Sequence, residues 1–561
     1  MSYLERLKSC SNLKEFAEYL GYKPSNLSYL LYVLNDDLKY RTFEISKKSK
    51  EARVIKAPEK SLKGLQRRLA SRLENCQKEI ESNLGIVNPV SHGFRKGHSI
   101  ATNANIHKRK RYVFNLDIKD FFGTLDFGRV RGFFIKNYNY ELAPEVATII
   151  AQISCFDNSL PQGSPCSPII SNLIGNILDV KLLKLAKKNG CHYSRYADDL
   201  TFSTNQKVFP ADIAIQDPIK GDWDCGAEIY KIMKLVRFQI NDSKTRMLYR
   251  NSRQLVTGLV VNRKVNIAAD YWRDTRAMLW NLFNTGSFFI KDNSEEVAEG
   301  TLSQLNGRLD FIYQIDAYNT NKSKGENVKT AKKEAYKKFL FFKSFYVNEM
   351  PTIVCEGKTD PIYLKCALES LADSHRELID KDGKLNIGLF NYSKVAADVL
   401  ELSGGNAPIS KFLDQYQKMF SLFRVNSSQN PTIIILDNDG AGLRTLNHAK
   451  RGATSEVKMD GFDEPIQCLP ENIYVFRIPR IIDKDLEIED YFKEEAFQIK
   501  LNEKSFKRKG VIDKKKEFGK FLFAEKIVKN NKKNIDFSQF SLIFNVIQQI
   551  ISHSKASAPT D

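Results

Sequence analysis

The residues best suited to chemistry are acids that arrive in close sets. Asp198 and Asp199 are adjacent within Tyr196-Ala197-Asp198-Asp199, and Asp117 closes the apolar run Tyr112-Val113-Phe114-Asn115-Leu116. Side-by-side carboxylates repel, so such a pair is costly unless cations neutralise it. Hard divalent ions prefer carboxylate oxygens, and two of them about 3.5–4 Å apart clamp both the attacking and the leaving oxygen of a phosphoryl displacement. Asp117, Asp198 and Asp199 are expected to hold metal, with Ile118 beside Asp117 in the same set. A second set follows further along. Glu356 ends the apolar run Thr352-Ile353-Val354-Cys355, and Ile433-Ile434-Ile435-Leu436 delivers Asp437 and Asp439, one residue apart. Three acids at strand ends outline a Mg²⁺ site, because open α/β sheets place function at the carboxyl ends of their strands.

Elements must position these acids. Ser194 to Phe202 is apolar or small on both sides of Asp198 and Asp199, which predicts a hairpin with the acids at its turn. Upstream, Leu4, Leu7, Leu13, Phe16 and Leu20 recur at helical spacing between Tyr3 and about Leu34. Arg53 to Pro58 reads as a basic strand ended by proline, and Leu62 to Leu69 as a cationic helix. Aromatic and basic positions alternate over helical lengths from Asp270 to about Phe311, whereas Asn319 to Thr330 is polar and non-periodic, hence a loop. A helix is expected over Ala331 to Phe345. From Thr352, short β-like runs alternate with helical stretches, the pattern of an α/β domain.

A chain of 561 residues exceeds one core and suggests three or four units. The hydrophobic fraction of 42% supports packed cores, and a net charge of +19 points to a polyanionic partner, nucleic acid first. The nine cysteines are odd in number and lack any Cys-x-x-Cys pair, so they read as reduced thiols and not as a zinc or disulfide framework. The opening Met-Ser-Tyr-Leu-Glu-Arg-Leu-Lys lacks an apolar signal core, and nowhere do about 18 apolar residues run together. A cytoplasmic protein of a bacterium with no membrane partner is expected.

Residues 42 to 260 resemble the reverse transcriptase family. Asp117-Ile118-Lys119-Asp120-Phe121-Phe122 resembles its first palm motif, in which the Asp binds metal and the aromatic, here Phe122, excludes a ribose 2′ hydroxyl. Leu160-Pro161-Gln162-Gly163-Ser164-Pro165 resembles the turn whose Gln contacts the incoming nucleotide, and Tyr196-Ala197-Asp198-Asp199 completes the catalytic trio. Asn241-Asp242-Ser243-Lys244-Thr245 resembles a later palm motif with Lys244 near the triphosphate, while Arg53 and Lys56 fall where the fingers meet it. Asn103-Ala104-Asn105-Ile106-His107 and Val256-Thr257-Gly258 match the Asn-Ala-x-x-His and Val-Thr-Gly segments of retron reverse transcriptases. That resemblance implies an RNA-directed DNA polymerase that binds its own noncoding RNA, primes from the 2′ hydroxyl of a guanosine and makes a branched, RNA-linked single-stranded DNA. It implies two Mg²⁺ ions, deoxynucleoside triphosphates, and RNA contacts at Asn103, His107, Val256, Thr257 and Gly258. Arg263, Lys264, Trp272, Arg273 and Arg276, in the basic and aromatic stretch that follows, suit folded RNA.

The C-terminal acids resemble the TOPRIM fold, whose Glu on one strand and Asp-x-Asp on another hold metal. Leu402-Ser403-Gly404-Gly405 resembles its intermediate strand and turn, and Ile488-Glu489-Asp490-Tyr491 with Lys520 resembles the nuclease branch typified by the overcoming-lysogenization-defect proteins. This implies that Glu356, Asp437 and Asp439 bind one or two Mg²⁺, or Mn²⁺, and that Lys520 assists cleavage of DNA or RNA. A topoisomerase would need a strand-passage region the chain has no room for, and a primase would duplicate the polymerase. The expected fold is multidomain, α+β and α/β, a right-hand polymerase followed by a Rossmann-like TOPRIM domain. Residues 1–41 form a helical cap, 42–258 fingers and palm, 259–345 an RNA-binding helical thumb and linker, and 346–561 the TOPRIM nuclease-like domain. The fused nuclease is expected to act in antiphage defence, restrained by the RNA–DNA, with self-association compatible with that restraint. Two alternatives stand beside it: a nuclease that processes the reverse transcript, and a catalytically idle module for binding nucleic acid or self-association.

Overall fold

The strand Tyr112–Asp117 buries Val113, Phe114, Leu116 and Asp117, and it lies inside a four-stranded antiparallel sheet. Its neighbours are Asp199–Thr204 on one side and Arg246–Tyr249 on the other, with His192–Tyr196 at the far edge. The computed structural model describes residues 1–46, 52–86, 89–219, 221–291, 297–320, 330–481 and 484–557. Contacts divide the chain into two compact units. One is built mainly from Met1–Trp272, the other from Arg273–Ile290, Glu299–Tyr313 and the chain beyond 330.

In the first unit, the helix Ser167–Lys188 packs on the strand His192–Tyr196, and the helix Lys60–Asn83 packs in turn on that helix and on Pro144–Ser154. Leu65, Leu69 and Leu73 of Lys60–Asn83 and Ile170, Leu178 and Leu182 of Ser167–Lys188 are fully buried, on the 3.6-residue period expected of a core-facing stripe. The short helices Tyr3–Lys8 and Leu13–Leu20 open the chain, capped by the side chains of Ser2 and Asn12. The strands Tyr40–Ser46 and Ala52–Pro58 pair as a hairpin. The Lys56 N–H donates to Gln162 O at 2.9 Å, which ties that hairpin to the Pro161–Pro165 turn.

The His192–Tyr196 and Asp199–Thr204 strands form the expected hairpin with Asp198 at its turn. It is braced from behind by Arg195, which is wholly buried. The Arg195 Nε and Nη2 donate to the two carboxylate oxygens of Asp179 at 2.8 and 2.7 Å, and Nη1 donates to Ala197 O at 3.1 Å. Ala197 has a left-handed φ of +56°, so the turn is costly for an alanine and needs outside support. Gly93 packs so tightly on it that a Cβ there would lie 2.5 Å from Ala197 N.

The second unit holds a six-stranded sheet in the order Gly388–Leu389, Thr352–Cys355, Thr432–Leu436, Ile473–Arg477, Ile466–Leu469, Ser455–Val457. The first four are parallel and the last two antiparallel. Every residue of Thr352–Cys355 and Thr432–Leu436 is buried, as strands covered on both faces require. Leu402 forms no strand. Gly404 and Gly405, at φ of +79° and +88°, turn the chain onto Glu356, and the edge position is taken by Gly388–Leu389. The contact boundary falls inside the helix Ala269–Thr285. The cause is aromatic packing within the second unit: the Phe283 ring lies 5.2 Å from Phe342 and 4.9 Å from Phe423. Of the expected loop, Asn319 and Thr320 complete the helix Leu302–Thr320, Thr330 caps Ala331–Phe341, and 321–329 fall outside the described residues. Among the described residues no helix is long and apolar enough to cross a membrane. The cysteines are free thiols, all buried except the half-buried Cys155.

Arg195→Ala leaves Asp179 buried without its cation and is expected to cost about 3–5 kcal/mol, read from denaturant unfolding. Arg195→Lys recovers little, because an ammonium cannot make the two-pronged contact. A loss under about 1 kcal/mol would show that the brace is not structural.

Candidate functional site

Strand register brings the first acids together. Asp117 pairs directly with Asp199, and the Ile118 N–H donates to Asp198 O at 3.0 Å. Burial raises the pKa of Asp198, and the Asp117 charge adds to the rise, against the cations of Lys244 and Arg53. Asp199, at the open edge of the turn, is held at about 6 by desolvation and by the charges of Asp198 and Asp117. Asp117 is answered by protein groups: Lys244 Nζ reaches its Oδ2 at 2.9 Å and Asn241 Nδ2 its Oδ1 at 3.1 Å. Its hydrogen bond to Asp117 is the leading cause of the raised pKa of Lys244. The three carboxylates thus share one site, with Lys244 bonded to Asp117. Among the described residues no three acid, His or Cys side chains are already drawn close enough to enclose an ion. The donor set, hard oxygens in mutual repulsion, still suits a divalent cation. The Ile118 side chain is a buried hydrocarbon with no donor atom, so its carbonyl is its only group for a cation.

Phe122 is half-buried and packs near Phe94, ring centroids 6.2 Å apart. Gln162 lies in the turn tied to Lys56, whose Nζ makes an ion pair with Asp157, while Arg53 is exposed. Arg263, Lys264, Arg273 and Arg276 are exposed and Trp272 is half-buried. Asn103 and His107 depart from expectation. Both are wholly buried and bond inward to the strands of the Asp-Asp hairpin, so their side chains present nothing to RNA. Val256 is likewise buried, and Thr257 donates its hydroxyl to Ile100 O; Gly258 alone of that trio is exposed.

The second acids meet at the carboxyl edge of the parallel strands. The Glu356 N–H donates to Ile435 O at 3.0 Å, and its Oε2 accepts from the Asp437 N–H at 3.1 Å. Asp437 is pushed up to about 9 by burial and by the charges of Asp360, Glu356 and Glu489. Asp360, raised to about 7 by burial and by Glu489, belongs to the same cluster. Neither Asp360 nor Glu489 closes an apolar strand, so the strand-plus-acid pattern that marks the others could not mark them. Asp439 caps the helix Gly440–Arg451, its Oδ1 accepting from the N–H groups of Ala441 and Gly442 at 2.9 and 2.7 Å. Lys520 Nζ lies 3.0 Å from both Glu487 and Glu489, whereas Asp490 is held by Arg508 at 2.6 and 2.7 Å. The acid facing Lys520 in the Ile488–Tyr491 segment is therefore Glu489.

The family model described as reverse transcriptase (RNA-dependent DNA polymerase) matches residues 45–267, which span the Asp-Asp hairpin and its partner strand. The first unit is thus a polymerase of the reverse transcriptase class. The retron Ec86 reverse transcriptase of Escherichia coli is 30% identical over 312 residues, covering 55% of this chain and 85% of that protein. The retron Mx65 enzyme of Myxococcus xanthus is 34% identical, covering 49% of this chain and 61% of that protein. The chain belongs to the retron reverse transcriptase family. Its activity is RNA-directed DNA polymerisation on an RNA template from deoxynucleoside triphosphates, in a family that generally uses divalent ions such as Mg²⁺. Apo telomerase from Candida tropicalis matches at 13% identity and a TM-score of 0.27 over 44% of this chain and 61% of that one, too loose a likeness to support any statement.

Because its folded pKa is raised from 3.8 to about 9, the contribution of Asp437 to stability is complete below about pH 4 and is lost as pH rises toward 9. In chelator, Asp437→Asn is expected to raise the melting temperature at pH 8, by about 2–4 °C per kcal/mol recovered, and to leave it little changed at pH 4. A variant that melts below the parent at pH 8 contradicts a strained, buried carboxylate.

Proposed function

We propose that the first unit makes branched, RNA-linked DNA from a structured noncoding RNA, primed at a guanosine 2′ hydroxyl, and that the second unit is a metal-dependent nuclease acting as the effector of antiphage defence. The polymerase reading is carried by the pairing of Asp117 with Asp199 across two strands. In it, Asp117, Asp198, Asp199 and the Ile118 carbonyl hold divalent ions, whose chemistry is to activate the attacking hydroxyl and neutralise the triphosphate. Phe122 closes off the space of a ribose 2′ hydroxyl, and Gln162 orients the nucleotide. Lys244, Arg53 and Lys56 meet the triphosphate. Arg263, Lys264, Trp272, Arg273 and Arg276 bind phosphate and stack on the RNA.

The nuclease reading is carried by the convergence of Glu356, Asp360, Asp437 and Glu489 at the carboxyl edge of a parallel sheet. This arrangement supports a TOPRIM-like domain. Glu356, Asp437 and Asp439 hold the ion, and Lys520, seated on Glu487 and Glu489, stabilises charge developing on the scissile phosphate.

Paired substitution of Asp198 and Asp199 by Asn should abolish DNA synthesis, a drop of at least about 10³-fold for a lost charge-stabilising group. Glu356→Gln or Asp437→Asn should leave synthesis intact and remove Mg²⁺-dependent cleavage together with phage protection. Protection that survives those two changes would exclude the effector role, and altered ends of the DNA product would identify a processing nuclease instead.

A further inference from the structure

The buried polar groups beneath the Asp-Asp hairpin have no part in the reading above. His107 follows the short helix Ile100–Ile106 and is fully enclosed. Its Nε2 lies 2.7 Å from Ser194 Oγ and its Nδ1 lies 2.7 Å from Ser203 Oγ. Ser194 is on the first strand of the hairpin, four residues before Asp198, and Ser203 is on the second, four residues after Asp199. One ring therefore bridges both arms at matched distances from the acids. Ser194 donates to Asn103 Oδ1 at 2.6 Å, so it accepts from the ring, and in this arrangement Nε2 carries the proton while Ser203 donates to Nδ1. Burial holds the ring pKa well below its ordinary 6.5, which keeps it neutral, with one donor and one acceptor nitrogen.

The other end of this element is also anchored. There Thr257 Oγ1 donates to Ile100 O at 3.3 Å, while just past His107 the Arg109 N–H donates to Val261 O at 2.9 Å. The hairpin Leu255–Val256/Leu259–Val260, the helix and His107 form a continuous strut that ends against both arms of the acid-bearing hairpin, four residues from each Asp.

We propose that His107 is a positioning residue for DNA synthesis: by cross-linking Ser194 to Ser203 it sets the spacing of the two strands that carry Asp198 and Asp199, and it reads no RNA. Thr257 fixes the far end of the strut. The Asn-Ala-x-x-His and Val-Thr-Gly segments are, in this account, two parts of one support and not two contact surfaces.

The inference rests on Asp198 and Asp199 as the polymerase acids, and Asp198→Asn serves as the control for that reading. Full-length His107→Ala, His107→Gln, Ser203→Ala and Thr257→Val are assayed for dTTP incorporation on poly(rA) primed with oligo(dT), a template with no folded cognate structure. A misplacement of about 1 Å is enough to cost on the order of 100-fold. His107→Ala should therefore lose about that in kcat, with KM for dTTP nearly unchanged and a several-fold higher Mg²⁺ requirement. His107→Gln, which can still hydrogen-bond, should recover part of kcat, and Thr257→Val should lose less. Should His107→Ala not fold, Ser203→Ala, which removes one bond of the bridge, carries the same expectation at smaller size. Wild-type kcat and Mg²⁺ dependence on this template in folded His107→Ala, or in Ser203→Ala if the former is unfolded, would overturn the proposal and return His107 to RNA recognition. A KM rise without loss of kcat would overturn it too. Retained synthesis in Asp198→Asn would defeat the reading of the acids instead.

Discussion

Like charges held close together on rigid strands govern this molecule. In both units, carboxylates are carried by rigid strands into a shared, partly dry site, where their repulsion and desolvation raise the proton affinity of Asp199 and, far more, of Asp437. Nothing in such a cluster stabilises itself. The surrounding protein must supply the rigidity, and in the first unit it does so with groups that never meet a substrate: the Arg195–Asp179 pair behind the turn, Gly93 against Ala197, and the polar network at His107. Asp117 in the first unit and Glu356 in the second have protein partners on both oxygens: Lys244 and Asn241 for Asp117, Asn406 and the Asp437 N–H for Glu356.

The two units solve this placement problem differently. The first uses antiparallel register, so that acids on neighbouring strands face each other across hydrogen-bonded pairs. The second uses parallel strands, whose carboxyl ends share one edge, and adds acids from a helix start and a short turn. Lysines accompany both sites, Lys244 at Asp117 and Lys520 between Glu487 and Glu489. Glu487 shows how far such partners reach, since Lys509 and Lys520 hold it at about 2 although burial acts to raise it.

What could be read from the sequence was whatever an apolar strand delivers directly. Tyr112–Asp117, the hairpin around Asp198, Thr352–Cys355 and Thr432–Leu436 all follow from short β-rich runs ending at an acid. Asp360 was invisible because its neighbours carry no such pattern, and the Ile488–Tyr491 resemblance left open which of its two acids faces Lys520, which only the folded chain shows to be Glu489. Asn103 and His107 show a related effect: polar types suggest a wet surface, yet both are buried and bond to a strand about 90 residues away, with the Asn103 Nδ2 left without a partner. The contact boundary at Trp272 was hidden because one continuous helix crosses it, and its later part is tied to the second unit by contacts such as those of Phe283 with Phe342 and Phe423.

The face-to-face pairing of Asp117 with Asp199 also determines which genetic accidents the chain can absorb. Side chains alternate along a strand, so inserting or deleting one residue within Tyr112–Asp117 or Asp199–Thr204 rotates every later side chain to the opposite face of the sheet and breaks the pairing. Length changes in the exposed corner near Tyr138 leave that alternation untouched. Variation in length across relatives should therefore gather in the corners and vanish from the acid-bearing strands, whatever substitutions those strands accept.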